Sequence, residues 1–378
     1  MSVFVLFGTV LHHKDGITLT SSQAAAFVKR IGVISLPGQF NYGNRLQLHA
    51  NVHLLQNMGY SVYVLYPDQR HRTLKKAKRF LRKCLGQHEE TNEASSTQER
   101  LGAFSRFDAP LKENHVRSVW SLKKDYYLFF VGSDQVWNPD YARHNADWYF
   151  LRFARPEQRI ALAPSIGLDE LTSRQARWLA RGVSGFPRLS VREQRGAELI
   201  KECSGLDAEV ICDPTLVLTA EEWRAAADER LTPADPYVFT YLLGGTSVEA
   251  QNVLGKVTEN GRIPVVALSD RQKPSEPDAG PAEFISLIDN AEHVVTDSFH
   301  AAVFSSILQT PLTIVRREGG ASMFSRLESL AKTLGIEHKV YDSPAYDPSR
   351  AGDYATVPRA IEREREKFMA YLKKCLNG

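Results

Sequence analysis

From residue 30 the chain alternates two apolar patterns. "RIGVISL" is a short, β-branched apolar run, the pattern of a buried strand. "NRLQLHANVHLLQNMG" follows, with Leu48, Val52 and Leu55 at helical spacing and Gly59 placed to end the helix. "SVYVLYP" is the next strand, so the stretch predicts a β-α-β unit with a parallel pair. "YYLFFVG" and "RIALAPSIG" extend the sheet. "RLSVRE", "EQRGAELIKEC" and "AEVICDPTLVL" repeat the strand-helix-strand rhythm. After a helix and a Pro-rich joint, "TAEEWRAAADERLTPADP", the alternation restarts through "YVFTYLLGG", "IPVVALS", "AEFISLIDNA", "EHVVTDSFHAAVFSSILQ" and "PLTIVRR".

This pattern predicts an α/β chain with two doubly wound, Rossmann-like domains facing across a cleft. The expected bounds are an N-terminal extension at 1–28, a first domain at 29–220, a second at 221–355 and a charged C-terminal helix at 356–378 packing back on the first domain. The first domain carries a basic and polar insertion at about 68–118. Within it, "RHRTLKKAKRFLRKCLGQ" has a narrow apolar stripe of Leu74, Ala77, Leu81 and Leu85. It reads as a solvated surface helix; the sharper reading is peripheral contact with anionic lipid through residues 70–85.

Composition narrows this picture. At 378 residues the chain suits two domains better than one core. A net charge of +3 is too mild for a general nucleic-acid binder. The four cysteines are scattered without C-x-x-C pairing, which reads as free thiols in a reducing cytoplasm. No apolar run approaches the roughly 18 residues of a spanning helix, and "MSVFVLFGTVLHHKDG" is a poor signal peptide, so a cytoplasmic location is expected.

Chemistry in such folds sits where strands stop. "LPGQFNYGNR" has a strand, a loop and a helix, and glycines spaced as in a phosphate loop, but Asn44 and Arg45 stand where Lys and Ser/Thr belong. That sets aside a P-loop NTPase. Close backbone approach to a ligand and a tight structural turn both remain open. "EHVVTDSFHAAVF" runs a strand into Asp297 or Ser298 as helix cap and puts His300 in the first turn, beside unpaired amides that favour an anion. The bland alternative is a capped helix with an incidental His. "RLSVRE" places Arg192 at another junction, as a ligand fork or as half of an Arg–Glu surface pair. "FFVGSDQVWNP" offers Ser133 and Asp134 as caps, with Trp137 as core or cleft wall. Arg316, Arg317 and Arg326 form a basic cluster able to hold phosphate.

In chain order, "FNYGNRLQ", "RFDAPLKENHV", "VGSDQVWNP", "RIALAPSIG", "SVRE", "DPTLVL" and "VVTDSFHAAVFS" resemble the polysaccharide pyruvyl transferase family from about residue 30 to 340. The resemblance implies a fold like that of the GT-B glycosyltransferases. It also implies phosphoenolpyruvate as donor; no D-x-D motif or His/Cys cluster in the sequence suggests a required metal, and no other cofactor is expected. The acceptor would be a sugar diol, lipid-linked, nucleotide-linked or polymeric, that receives a pyruvate ketal in capsule, exopolysaccharide or cell-wall synthesis. By motif, Arg192 and His300 fall at donor-binding positions, with Asp297 tuning His300. One departure stands out: members with an "RLHA" version have Arg two places before the His, where this chain has Ser298. Either Arg316 or Arg326 supplies the missing charge, or the helix N-terminus beside Ser298 carries the anion. Asn44, Arg45, Ser133, Asp134 and Trp137 fall on the acceptor side. A nucleotide-sugar glycosyltransferase on the same scaffold and a non-catalytic glycan-pathway protein are the alternatives.

Overall fold

A computed structural model describes residues 28–377, apart from residues 37, 39, 68–97, 121, 270–272, 274 and 318–320. All but the last residue of the N-terminal extension, and the basic helix at 70–85, lie outside the described residues.

The first half runs β1 (Arg30–Ile34), α1 (Tyr42–Asn57), β2 (Ser61–Pro67), α2 (Gln98–Asp108), β3 (Glu113–Val116), β4 (Leu128–Val131) and β5 (Arg159–Ala161). Its strands form one parallel sheet in the order β3-β2-β1-β4-β5. Parallel strands are covered on both faces, so β4, "LFFV", is buried at every position. Helices α3 (Ser173–Val183) and α4 (Gln194–Ser204) follow.

The strands expected at "RLSVRE" and "AEVICDP" shrink to β6 (Ser190–Val191) and β7 (Glu209–Val210), a two-stranded pair outside the main sheet. Pro164 is part of the reason, because it has no amide to give a ladder. Instead β6 is tied to the segment after β5 by Ser190 Oγ, which accepts from the Ala163 amide at 3.0 Å, and by the Arg192 amide, which donates to the Pro164 carbonyl at 3.1 Å.

The second half runs β8 (Val238–Tyr241), α5 (Val248–Val257), β9 (Val265–Leu268), α6 (Pro281–Asp289), β10 (His293–Thr296), α7 (Phe299–Leu308), β11 (Leu312–Ile314) and α8 (Ala321–Leu334). Its sheet is also parallel, ordered β11-β10-β8-β9. The halves share apolar packing. The Tyr42 ring on α1 stacks on Phe284 at 4.7 Å, and its hydroxyl donates to the Ala279 carbonyl at 2.9 Å. Helix α9 (Val357–Leu376) packs on α8 and reaches the first half, where Tyr371 donates to the Ala161 carbonyl at 2.8 Å and Arg365 to the Val217 carbonyl at 2.8 Å. Two Rossmann-like units thus face each other across a cleft, the plan of GT-B proteins.

Among the described residues, Cys203, Cys212 and Cys375 are free thiols. No helix among them is long and apolar enough to cross a membrane.

Candidate active site

Strand order reverses between β1 and β4 in one sheet and between β8 and β10 in the other, and ligands bind where it does. A cavity of about 450 Å³ opens at both reversals. Its walls come from the loop after β1 and the start of α1, from Asp134 and Gln135 after β4, from Leu243 after β8, from Asp297 to His300 after β10, and from Arg317 and Arg326.

Helix α1 builds the first wall. Asn41 caps it by accepting from the Asn44 amide at 2.9 Å, and Asn44 Nδ2 donates to Asp134 Oδ2 at 3.2 Å. One and two turns on, Gln47 accepts from the Ser133 amide at 2.8 Å and Asn51 donates to the Gly132 carbonyl at 3.3 Å. Asn44, Gln47 and Asn51 are all buried, so this polar stripe fixes the loop that presents Asp134. The stripe was visible in the sequence as amide side chains at helical spacing between the leucines.

The second wall is the N-terminus of α7. Ser298 occupies its cap position without a side-chain cap bond. Asp297 is turned away from the helix: its carboxylate accepts from the Leu243 and Gly244 amides at 2.7 and 2.9 Å and pairs with Arg317 at 3.2 Å. Ser298, Phe299 and His300 at this helix start all line the cavity, a helix end suited to an anion.

Behind His300 lies Asp213, which the sequence reading passed over inside "DPTLVL". Its Oδ2 sits 2.5 Å from Arg192 Nη1, 3.7 Å from His300 Nε2 and 3.3 Å from Ser133 Oγ. Its Oδ1 accepts from the Thr215 amide and hydroxyl at 3.0 and 2.7 Å. Burial alone would raise the Asp213 carboxyl, but Arg192 and His300 hold it well below the usual carboxylate range. Asp213 is fully buried and stays ionised beside the Arg192 guanidinium.

Arg192 lies one layer back. It lines an adjoining cavity of about 80 Å³ that shares Phe299 and Arg326 with the main one, and its guanidinium stacks on Phe299 at 4.8 Å. Its Nε and Nη2, and His300 Nε2, are buried without a hydrogen-bond partner in the protein. Arg326 lies where the cavities meet, and Gln135, with its amide oxygen toward the guanidinium, accepts from it at 2.9 and 3.1 Å. Burial, and then the nearby Arg192 charge, disfavour the charged form of Arg326, a situation an anion relieves.

Other expected site residues lie elsewhere. Arg45 turns from the cavity to pair with Asp108 at 3.2 Å, because residues 44 and 45 of a helix point to different sides. Burial, only partly offset by Arg45, raises the Asp108 carboxyl to about 6. Trp137 is fully buried core, its indole donating to the Tyr149 carbonyl at 3.1 Å. Ser133 is also buried behind the wall, its hydroxyl donating to the Ala163 carbonyl at 2.8 Å. Arg316 pairs with Glu328 at 3.1 Å and covers Phe324, while its neighbour Arg317 lines the cavity. Asp297, expected beside His300, has its oxygens taken by the loop after β8 and by Arg317, and the carboxylate near His300 Nε2 is that of Asp213, at 3.7 Å.

Fold and site define a two-domain α/β protein whose cleft, at its paired strand ends, is lined by Arg317, Arg326, His300, Asp134 and Asp297. The sequence model of the family described as polysaccharide pyruvyl transferase matches residues 41–318, more than half of the chain, and the chain belongs to that family. No curated protein matches it. Among solved structures, the UDP-GlcNAc 2-epimerase of Methanocaldococcus jannaschii, in complex with UDP-GlcNAc and UDP, is similar at 12% identity and a TM-score of 0.46, covering 92% of this chain and 100% of that one. The UDP-GlcNAc 2-epimerase of Neisseria meningitidis bound to UDP-GlcNAc is similar at 11% identity and a TM-score of 0.43, covering 92% and 100%. An alpha-glucosyltransferase in complex with UDP and a 13-mer DNA aligns at 10% identity and a TM-score of 0.44, over 91% and 95%. Likeness at this level says nothing of the reaction.

Proposed function

We propose that this pyruvyl transferase takes phosphoenolpyruvate as donor and forms a pyruvate ketal on two hydroxyls of a sugar in a capsular, exopolysaccharide or cell-wall precursor. The observation that carries the reading is the convergence of His300, Arg326 and the side-chain-free N-terminus of α7 on one cavity, with Arg192 immediately behind. A small ligand bearing a carboxylate and a phosphate needs cations and amides arranged in this way.

The residues divide the work. Nε2 of His300 lies 3.7 Å from Asp213, and Nδ1 lies on the Gly43 side, where both residues line the cavity. Nδ1 is therefore the nitrogen that gives a proton to the donor's methylene carbon, making it a methyl group and leaving an oxocarbenium-like centre at the carbon bearing phosphate. One sugar hydroxyl adds to that centre and loses its proton to Asp134, whose position beside Asn44 fits this task. The carbon–oxygen bond to phosphate then breaks, the second hydroxyl adds, and hydrogen phosphate leaves. Of the two hydroxyl protons, one replaces the proton given to carbon and the other departs with phosphate. Arg326 and the α7 amides stabilise the leaving phosphate. Arg192 closes the site from the rear cavity.

The test is phosphate release from phosphoenolpyruvate with a panel of sugar acceptors, scored by mass spectrometry for the ketal. Pyruvylated product supports the reading. Turnover of a nucleotide-sugar without use of phosphoenolpyruvate would replace it.

A further inference from the structure

Four aromatic residues line the main cavity: Tyr141, Tyr241, Phe299 and Phe324. Three already contact other side chains. Tyr241 packs edge-on against Tyr42 and Phe284, Phe299 carries Arg192 at 4.8 Å, and Phe324 carries Arg316 at 4.2 Å. Tyr141 differs. It is 61% exposed, and among the described residues its side chain enters no ring pair, cation–π contact or hydrogen bond. An exposed ring on the wall of a cavity, touched by no other ring or charged group, is open to a ligand.

The backbone beneath it is firmly held. Tyr141 lies in a single helical turn, Pro139–Ala142, capped by Asn138, which accepts from the Asp140 amide at 2.9 Å. Trp137 before the turn and Ala142 at its end are fully buried in the core. A fixed backbone thus presents an unoccupied ring on the same cavity wall as Asn44, Asp134 and Gln135. Carbohydrate has the complementary chemistry: one face of C–H groups for the ring and a rim of hydroxyls for a carboxylate and amides.

We propose that Tyr141 is the platform on which the acceptor's sugar ring stacks, with Asp134 and Asn44 taking its hydroxyls. The assignment rests on the pyruvyl-transfer reading and names the residue that selects its acceptor. The aromatic face does the work, so the hydroxyl of Tyr141 is dispensable.

The experiment measures two ligands on the full chain. Binding of methyl glycosides of galactose, glucose, mannose and N-acetylglucosamine is followed by saturation-transfer NMR with phosphoenolpyruvate present. Phosphoenolpyruvate binding is followed by calorimetry on the same samples, and circular dichroism checks the fold. At least one glycoside is expected to bind the wild type and Tyr141→Phe alike and to bind Tyr141→Ala about tenfold more weakly, the upper range for an aromatic contact. Phosphoenolpyruvate affinity should be the same in all three. Equal glycoside binding in Tyr141→Ala, or no glycoside binding to the wild type, overturns the platform. Tyr141-dependent glycoside binding without phosphoenolpyruvate binding upholds the platform while the donor reading fails.

Discussion

Gly43 and His300 meet across the cleft so closely that a Cβ on Gly43 would lie 1.9 Å from His300 Nδ1. This contact explains the glycine pair that makes "LPGQFNYGNR" look like a phosphate loop. The second glycine lets the first turn of α1 approach an imidazole from the other half of the molecule. Gly43→Ala should fold but push His300 from its place. Shifted geometry of about 1 Å costs on the order of 10²-fold in rate, and overpacking roughly 1–3 kcal/mol in stability. Kinetics beside urea unfolding check both; unchanged turnover would show that His300 has room to move.

Asp213 pairs with Arg192 and lies 3.7 Å from His300 Nε2, so its neutralisation should be felt twice. Asp213→Asn removes the nearest partner of a buried guanidinium and leaves it Asp134 at 3.9 Å, at a cost of about 3 kcal/mol in unfolding free energy. A weakened proton donor at His300 should lower turnover on the order of 10²-fold. Urea midpoints and phosphate-release rates read the two effects separately. Asp297→Asn, by contrast, should loosen the turn after β8, where the Asp297 carboxylate holds the Leu243 and Gly244 amides.

Trp137→Phe should lower stability without touching the donor. The indole is buried against Phe150 and Phe186, and its N–H bond to the Tyr149 carbonyl would be lost. An unsatisfied buried carbonyl costs roughly 1–3 kcal/mol. Thermal unfolding should fall while phosphoenolpyruvate affinity, measured by calorimetry below the transition, stays the same.

His293 should make stability depend on acid pH. Burial, and then the Lys339 charge, lower it to about 4, and its Nε2 lies 2.9 Å from Thr313 Oγ1. The unfolded chain takes up this proton near 6.5 and the folded chain only near 4, so His293 weakens the fold as pH falls through that window and has no such effect above it. At pH 5 the loss is about 2 kcal/mol. Stability measured in urea at pH 8 and pH 5 for wild type and His293→Gln checks the sign: the wild type should lose about 2 kcal/mol more than the variant on acidification.

The sheet architecture was legible because parallel strands, buried on both faces, read as short apolar runs, and because the helices between them carry a 3.6-residue period. The positions of Asn44, Asp134, Ser298 and His300 were legible for a related reason: each follows a strand end, and strand ends meet at the cleft. Asp213 was not, because its role comes from pairing with Arg192 and His300, residues distant in sequence. The choice between Arg316 and Arg317 was also beyond local pattern. Both follow β11, and only packing shows that the first turns to Phe324 and Glu328 and the second to Asp297. Arg45 follows the cavity residue Asn44 and Trp137 comes two places after Gln135, and the helix and turn geometry carries both elsewhere.

Calorimetric titration of phosphoenolpyruvate into the wild type, His300→Ala and Arg326→Ala, each checked for folding, tests the central claim most directly. The account predicts binding by the wild type that weakens at least about tenfold in each variant, the loss of one charge-assisted contact. Failure of the wild type to bind phosphoenolpyruvate, or binding that both variants keep in full, would contradict it.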